Sequence, residues 1–272
     1  MCKGLSVEHV NVAFGHRMWW VDSFVGENER GNPAVVVLLE RPLPDESLQQ
    51  IAFELGVSET AFLLSVGDTW TLRWFTPSVE VDLCGHATLA AAHVLSHELH
   101  AGSEHLFHTR SGVLSSRRLD HGLIGIDLPR LEISSVDTSY VGSAFGDVRD
   151  VVVAGGHVMV ELDSYDALCS VAPDPVAIFL VPSTLIIAVC EGGPDVDAAV
   201  RVFAPRLGLA EDPVTGSAMC AVAPWWMART GSPTVTVRQA SPRGGIMHAR
   251  LFESNVEIAG HARTFLAGEL RP

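Results

Sequence analysis

Two short stretches of the chain place polar side chains and a glycine directly before an apolar segment rich in small residues. One reads Cys84-Gly85-His86, and the other reads Asp212-Pro213-Val214-Thr215-Gly216-Ser217. The first amides of a helix have no internal partner and carry the positive end of the helix dipole. Each stretch is therefore suited to bind a carboxylate or another anion. The repetition of one pattern in both parts of the chain predicts two halves that face one cleft.

Glu59 is a carboxylate at the polar start of an apolar, strand-forming run over 58–64. Moving a proton between two carbons of one conjugated system requires a group that takes and returns the proton on the same face. A carboxyl group in a dry cleft can do this when burial raises its pKa toward neutrality. The alternative is an exposed glutamate at a strand edge, and sequence position alone favours that alternative.

The polar residues of the two turns also have ordinary structural explanations. His86 could donate to a substrate carboxylate or tune a neighbouring acid, or it could bond a local backbone group. Asp212 could hold an amino group or ring nitrogen of a substrate, or it could cap the helix that follows. Thr215, Gly216 and Ser217 supply hydroxyl and amide donors for an anion, and normal helix capping uses the same groups.

No pattern in the sequence indicates a metal or cofactor site. His93 and His97 have helical spacing, but no HExxH pattern or matching acid accompanies them. There is no GxGxxG after a strand and no P-loop, so neither a nucleotide nor a flavin is indicated. Cys84 is a possible nucleophile or base, although a small buried residue is the simpler interpretation.

Composition limits the class of protein. The chain has 272 residues, 47% of them hydrophobic and 18% charged, which is enough for two domains with substantial cores. Its net charge of −14 disfavours a nucleic-acid or anionic membrane surface. Five cysteines without a regular spacing do not form a disulfide framework. With no apolar run of membrane-span or signal-peptide length, we expect a cytoplasmic protein that acts on a small molecule.

Periodicity predicts strands and helices that do not alternate strictly. Strands are expected at 18–24, 34–39, 58–64, 71–76, 106–109, 112–116, 123–128, 148–154, 158–162, 178–181, 185–189, 234–239, 247–251 and 256–259. Helices are expected at 45–55 and 195–203, each capped by an aspartate, at 164–171, and after each glycine turn, the first running to about Leu99. Residues 1–17 are expected to be a loose extension. This order favours an α+β protein with a buried central helix wrapped by strands.

Five motifs occur in an order that resembles one family. They are Gly31-Asn32-Pro33-Ala34, Ser58-Glu59-Thr60-Ala61-Phe62, Arg73-Trp74-Phe75-Thr76-Pro77, Cys84-Gly85-His86-Ala87-Thr88 and Glu211-Asp212-Pro213-Val214-Thr215-Gly216-Ser217-Ala218. Together they resemble the PhzF-like isomerases of phenazine biosynthesis, over about 21–260.

The resemblance implies the diaminopimelate epimerase-like fold, an α+β architecture of two pseudo-symmetric domains. Each domain is expected to be a mixed or antiparallel sheet rolled around a central helix. We assign 15–128, completed by 258–272, to the N-terminal domain and 129–257 to the C-terminal domain. The resemblance also implies a homodimer and an active site that uses no cofactor and no metal.

By the same resemblance, Glu59 is the acid–base residue of an isomerase that shifts a proton and a double bond in a cyclic, amino-acid-like metabolite. His86 and Asp212 are expected to contact the substrate, and the turns at 85 and 215–217 to bind its polar ends. Asn32 is a further possible member of the site. A role in secondary metabolism follows by analogy only.

Two other functions stay open from the sequence. Related racemases use two opposed thiols, but Thr215 stands where the second would be, and Cys220 lies more than a helical turn further on. A one-base epimerase or dehydratase that uses Cys84 is still possible, as is a binding protein without catalysis. Met219 and the segment 238–250 depart from the family pattern near the expected cleft, which predicts a different substrate specificity.

Overall fold

The computed structural model describes residues 15–135, 141–145 and 148–271. In these ranges the strands are β1 (His16–Val25), β2 (Asn32–Leu39), β3 (Glu59–Val66), β4 (Thr69–Phe75), β5 (Glu80–Val81), β6 (Glu104–Thr109), β7 (Gly112–Arg118), β8 (Ile124–Pro129), β9 (Ile133–Ser135), β10 (Asp150–Ala154), β11 (His157–Glu161), β12 (Ile186–Glu191), β13 (Ala198–Ala204), β14 (Leu209–Asp212), β15 (Thr234–Gln239), β16 (Gly245–Leu251) and β17 (Asn255–Leu270). The helices are α1 (Asp45–Leu55), α2 (Gly85–His93), α3 (Gly142–Phe145), α4 (Tyr165–Ser170), α5 (Pro175–Leu180) and α6 (Met219–Thr230).

The first half of the molecule is a closed barrel around α2. Its strands follow the order β1, β2, β3, β4, β6, β7, β8 and β17, and β17 pairs with β1 to close the ring. Every residue of α2 is buried. Its alanines leave room for strands on all sides, which explains why a short apolar segment without an amphipathic stripe forms this helix.

The second half repeats the design around α6. The sheet runs through β9, β10, β11, β12, β13, β15, β16 and β17, with β14 added on β13. Pro224 lies inside α6 and has no amide hydrogen, so the carbonyl of Cys220 is free to accept from the amide of Leu131 at 3.1 Å.

Strand β17 belongs to both halves. Its residues 255–260 pair with β8, residues 256–259 also pair with β16, and residues 261–270 pair with β1. The fold is therefore α+β, with two pseudo-symmetric domains that each roll a sheet around one central helix. The exact boundaries assigned from the sequence, 15–128 with 258–272 and 129–257, stay a prediction.

Two elements differ in type from the sequence prediction. The predicted strand at 178–181 belongs to helix α5, which begins after Asp174, whose carboxylate accepts from the amide of Ala177 at 2.7 Å. The predicted helix at 195–203 is strand β13, which lies between β12 and β15. Because six of its seven residues are buried, it lacks the alternation that usually marks a strand.

Helix starts also differ from prediction. Asp45 does not cap α1, because the N-cap residue is Pro44. The carboxylate of Asp45 instead forms an ion pair with Arg73 at 2.8 Å. Asp212 ends β14, and a 3₁₀ turn over Gly216–Ala218 separates it from α6. The first glycine turn does start a helix, which continues as a π-helical turn to Glu98. Of the expected extension, residues 1–14 lie outside the described ranges, and β1 begins at His16.

Of the helices in the described ranges, none combines the length and the apolar character needed to span a bilayer.

We expect Gly31→Ala to destabilise the protein more than Gly56→Ala. Both glycines have positive φ, +70° and +64°. A Cβ at Gly31 would lie 2.2 Å from the carbonyl oxygen of Ser23, whereas nothing lies within 4 Å of one at Gly56. The left-handed backbone alone costs about 1 kcal/mol in both variants, and only Gly31→Ala adds a clash with backbone. Equal losses of the free energy of unfolding in urea titrations would contradict this.

Candidate active site

The two glycine turns meet face to face at the N-terminal ends of the central helices. A Cβ on Gly85 would lie 3.2 Å from both the Cα of Gly216 and the amide nitrogen of Ser217. One on Gly216 would lie 3.1 Å from the ring of Phe24. Glycine at both positions thus permits the close approach, and the prediction that the two stretches face each other agrees with this geometry.

Glu59 lies at the first residue of β3, directly beside His86 of α2. Its Oε2 is 3.1 Å from Nε2 of His86, and the two side chains are 14% and 5% exposed. The contact is an ion pair, not an aligned hydrogen bond, and no aligned donor reaches this oxygen from the described residues. Among the described residues, no hydrogen bond therefore occupies the lone pairs of Oε2.

The charges of this pair stabilise each other. Burial raises the pKa of Glu59, but the His86 imidazolium and the Ser58 hydroxyl more than offset this, so the pKa falls below its ordinary value. The expectation that burial brings this pKa toward neutrality is therefore wrong. Burial would lower the pKa of His86, yet its neighbours Cys84 and Glu59 raise it well above the ordinary value. Each group of the pair therefore favours the charged form of the other.

Cys84 lies on the other side of the imidazole ring. Its Sγ is 3.5 Å from Nδ1 of His86, and burial raises the pKa of the thiol. His86 lowers the pKa of the thiol, but burial outweighs that effect. The raised pKa favours a role for the thiol in orienting the imidazole ring over a role as a base.

Asn32 connects this pair to the second half of the molecule. Its Nδ2 donates to Oδ1 of Asp212 and to the carbonyl of Val214, both at 2.9 Å, and lies 3.3 Å from Nδ1 of His86. The asparagine and the aspartate are both buried. Burial raises the pKa of Asp212, although hydrogen bonds from Thr215 and Asn32 oppose that shift. Asp212 thus bonds Asn32 and Thr215 and does not cap a helix.

Gln239 is a member of the site that sequence reasoning missed. Its Oε1 accepts from the amide of Thr215 at 2.8 Å, and its Nε2 donates to the carbonyl of Asp212 at 2.6 Å. The side chain clamps both ends of the loop that presents Asp212. The sequence does contain an indication that Gln239 is buried. It follows Val235 and Val237 at alternate positions of β15, and all three side chains lie on the buried face.

The remaining predicted residues lie around this core. The Thr215 hydroxyl donates to the Asp212 carboxylate, and Ser217 is half-buried beside Gly85. Met219 is fully buried at the start of α6. Of the unusual segment 238–250, Arg243 donates to the carbonyl of Gly31 at 2.7 Å, next to Asn32. This segment therefore contacts the site in two ways, directly through Gln239 and through the Arg243 bond to the loop that carries Asn32.

A metal ion has three candidate ligand atoms here. One atom each from Glu59, Cys84 and His86 lies within 4.8 Å of the others. However, the carboxylate contacts Nε2 and the thiol contacts Nδ1, so the two lie against different nitrogens of one ring. This arrangement suits a charge pair with an oriented imidazole better than a preformed metal site.

Comparisons with known proteins agree with the geometry. The family model described as phenazine biosynthesis-like protein matches residues 21–268. A Pseudomonas aeruginosa protein described as an uncharacterized isomerase is 43% identical over 254 residues, covering 92% of this chain and 97% of the relative. The crystal structure of a PhzF-family protein from Enterococcus faecalis has a TM-score of 0.87 and 34% identity, covering 95% of this chain and all of that one.

A more distant structure shares the fold alone. A hydroxyproline epimerase from Agrobacterium vitis has a TM-score of 0.62 with 12% identity, covering 94% of this chain and 92% of that one. Fold and comparisons together define an isomerase with the epimerase-like architecture. The chain belongs to the phenazine biosynthesis-like, or PhzF, family.

We expect His86→Gln to raise the pKa of Glu59. The variant removes the positive charge that keeps the carboxylate ionised, while the burial that disfavours ionisation stays. A ¹³C NMR titration of labelled glutamate carboxyls, with Glu59→Gln for assignment, measures the change. His108→Gln is a suitable control, since that exposed histidine contacts Thr69 and not Glu59. An unchanged or lower pKa in His86→Gln would show that the pair is not coupled.

Gln239→Leu should destabilise the protein by about 2–4 kcal/mol, because it leaves two buried backbone groups without partners. Gln49→Leu is the matched comparison, since Gln49 makes one bond, from Nε2 to the carbonyl of Thr76 at 2.9 Å, at a half-buried position. That change should cost about 1 kcal/mol. Urea denaturation measures the free energy of unfolding of both variants. A smaller loss of that free energy in Gln239→Leu than in Gln49→Leu would contradict the stabilising role of the two Gln239 hydrogen bonds.

Proposed function

We propose that this isomerase shifts a proton and a double bond within a small, unsaturated, carboxylated metabolite that resembles a cyclic amino acid. Glu59 is the acid–base residue, and no cofactor takes part. One observation carries the proposal: within the described part of the chain no aligned donor reaches Oε2 of this largely buried carboxylate, whose pKa His86 lowers against the effect of burial. A desolvated carboxylate of this kind is a competent base toward an activated C–H bond.

The reaction needs only groups that the site supplies. Glu59 takes the proton from an sp³ carbon, the C–H electron pair forms the new double bond, and the conjugated system shifts by one position. The electron pair of the old double bond then takes the proton back from the carboxylic acid on the same face. Substrate and product are isomers, so atoms and electrons balance without an oxidant or reductant.

The other residues bind and orient. In the proposal, amides of the two glycine turns, at Gly85 and at Gly216 to Ser217, receive the substrate carboxylate. Asp212 holds the amino group, with the Thr215 hydroxyl fixing its second oxygen. His86 retains its proton and compensates the charge that moves between Glu59 and the substrate.

A specific observation supports one rival reaction, epimerisation or dehydration with Cys84 as base. The thiol lies next to His86, and the structurally similar Agrobacterium vitis epimerase carries bound trans-4-hydroxy-L-proline. Two features oppose it: burial raises the pKa of the thiol, and Thr215 at the opposite turn is bonded to Asp212. We therefore favour Glu59. A place in secondary metabolism rests on analogy with the family.

The two reactions can be separated by exchange of carbon-bound hydrogen in D₂O, followed by NMR. The probes are amino-substituted cyclohexadiene carboxylates for the isomerase and trans-4-hydroxy-L-proline for the rival. Glu59→Gln should reduce exchange into the diene at least about a hundredfold, because it removes the base and keeps the shape. Cys84→Ala should retain most of the exchange.

Glu54→Gln, a change at a glutamate on the surface of α1, controls for the loss of a charge. Exchange that survives Glu59→Gln and disappears in Cys84→Ala would overturn the assignment in favour of the thiol. Binding of the dienes without any exchange by the unmodified protein would count against this class of substrate.

A further inference from the structure

Phe24 combines a left-handed backbone with complete burial. Its φ is +62°, and its side chain is 0% exposed. In the described part of the chain four residues other than glycine have a positive φ, and the remaining three are exposed. A bulky residue rarely adopts this conformation, which is strained. Such strain persists only where the surrounding structure imposes it, and it is concentrated at functional sites.

A bulge in β1 produces the conformation of Phe24. Ser23 pairs with Ala262 of β17, and Val25 pairs with the preceding residue, His261. Phe24 is therefore an extra residue between two consecutive partners. A bulge bends its strand and changes the direction of a side chain. Here the ring of Phe24 lies against the glycine turn of the second half of the molecule.

Two glycines provide the space that the Phe24 ring occupies. A Cβ on Gly216 would lie 3.1 Å from Cζ and 3.2 Å from Cε2 of the ring, and a Cβ on Gly260 would overlap Cδ1. Neither glycine has a positive φ, so the local backbone does not require glycine at either position. The missing side chains instead allow the ring to lie directly against the main chain of the turn and of β17.

The residue before Phe24 contacts the opposite glycine turn. The buried hydroxyl of Ser23 donates to the carbonyl of His86, in the first turn of α2, at 2.8 Å. Two consecutive residues of β1 thus contact both sides of the site. Ser23 bonds the start of α2, and the Phe24 ring supports the turn at Gly216. The spacing between the two glycine turns therefore depends on this dipeptide as well as on the hydrogen bonds of Asn32.

We propose that Phe24 is a positioning residue of the active site. Its ring holds the turn at Gly216 at the distance from Gly85 that aligns the substrate with Glu59, and it touches no reacting atom. The inference rests on the function proposed above, because it concerns the same turns. A displaced turn should slow the reaction more than it weakens binding, since a misplacement of about 1 Å can lower a rate about a hundredfold.

Kinetics of exchange into the amino-substituted cyclohexadiene carboxylates in D₂O test the positioning. Phe24→Leu removes the ring atoms that contact the turn. It should lower kcat at least about tenfold and change KM less than about threefold. Phe107→Leu is the matched control, because Phe107 is also 0% exposed. Its partner Trp70 pairs with Ser65, near the end of β3 opposite Glu59, so this change should leave kcat unaltered.

A double-mutant cycle tests the contact without any use of the reaction. Gly216→Ala should lower the equilibrium constant for folding about tenfold in the unmodified protein but less than about threefold beside Phe24→Leu, because leucine lacks the Cζ and Cε2 atoms that the methyl group would meet. Gly260→Ala should cost the same in both backgrounds, since leucine retains the δ carbon. Urea denaturation measures these constants.

Each outcome has a separate meaning. An unchanged kcat in Phe24→Leu, an equal fall in Phe107→Leu, or equal effects of Gly216→Ala in both backgrounds would overturn the positioning role. Circular dichroism checks that the variants are folded. Phe24→Met, whose flexible chain fills the space without a rigid ring, is a second variant in which kcat should fall in the same way. No exchange by the unmodified protein would overturn the proposed function instead, and the cycle would still decide whether the ring supports the turn.

Discussion

The close approach of two helix starts is the constraint on which the rest of the site depends. Gly85 and Gly216 are near enough that an added Cβ on either would meet the other's backbone within 3.4 Å. The anion site that we propose between these turns therefore needs both halves of the molecule. The closed barrel of the first half and the sheet of the second half hold α2 and α6 with these turns opposed.

Neutral amides keep the two turns in register around the charged groups. Asn32, from the first half of the molecule, donates to Asp212 of the second half. Gln239 bonds the backbone of Asp212 and of Thr215 and so fixes both ends of the loop between them. Both amides are fully buried. A buried amide that loses one partner leaves a polar group unpaired, so these side chains specify the geometry more strictly than apolar packing would.

Charge pairing reverses the usual effect of burial at Glu59. Burial disfavours the carboxylate, but the His86 side chain at 3.1 Å favours it more, so the pKa of Glu59 falls below its ordinary value. Cys84 and Glu59 in turn raise the pKa of His86. In the reaction that we propose, the base and an opposing charge are thus adjacent before any substrate arrives, which is electrostatic preorganisation.

Local sequence was sufficient to predict the elements that depend on interactions between residues close together in the chain. The two glycine turns, the alanine-rich helix and most strands could be predicted, because small residues, turn residues and alternation act over a few positions. The type of β13 was missed, since its burial on both faces hides the alternation, and α5 was missed because its capping aspartate precedes a short apolar run. In the sequence, Gln239 is a single polar residue in a strand, and its role is evident only from its contacts with Asp212 and Thr215 in the folded protein.

The sequence by itself determined the family, the α+β class and the two glycine turns that meet in the structure, since each of these depends on motifs or short-range pattern. Tertiary structure alone decided that His86 lowers the pKa of Glu59 against the effect of burial, and that Asp212 is a partner of Asn32 and not a cap. Each of these depends on contacts between residues far apart in the chain. The separation from Asn32 to Asp212 is 180 residues, and no local pattern encodes such a distance.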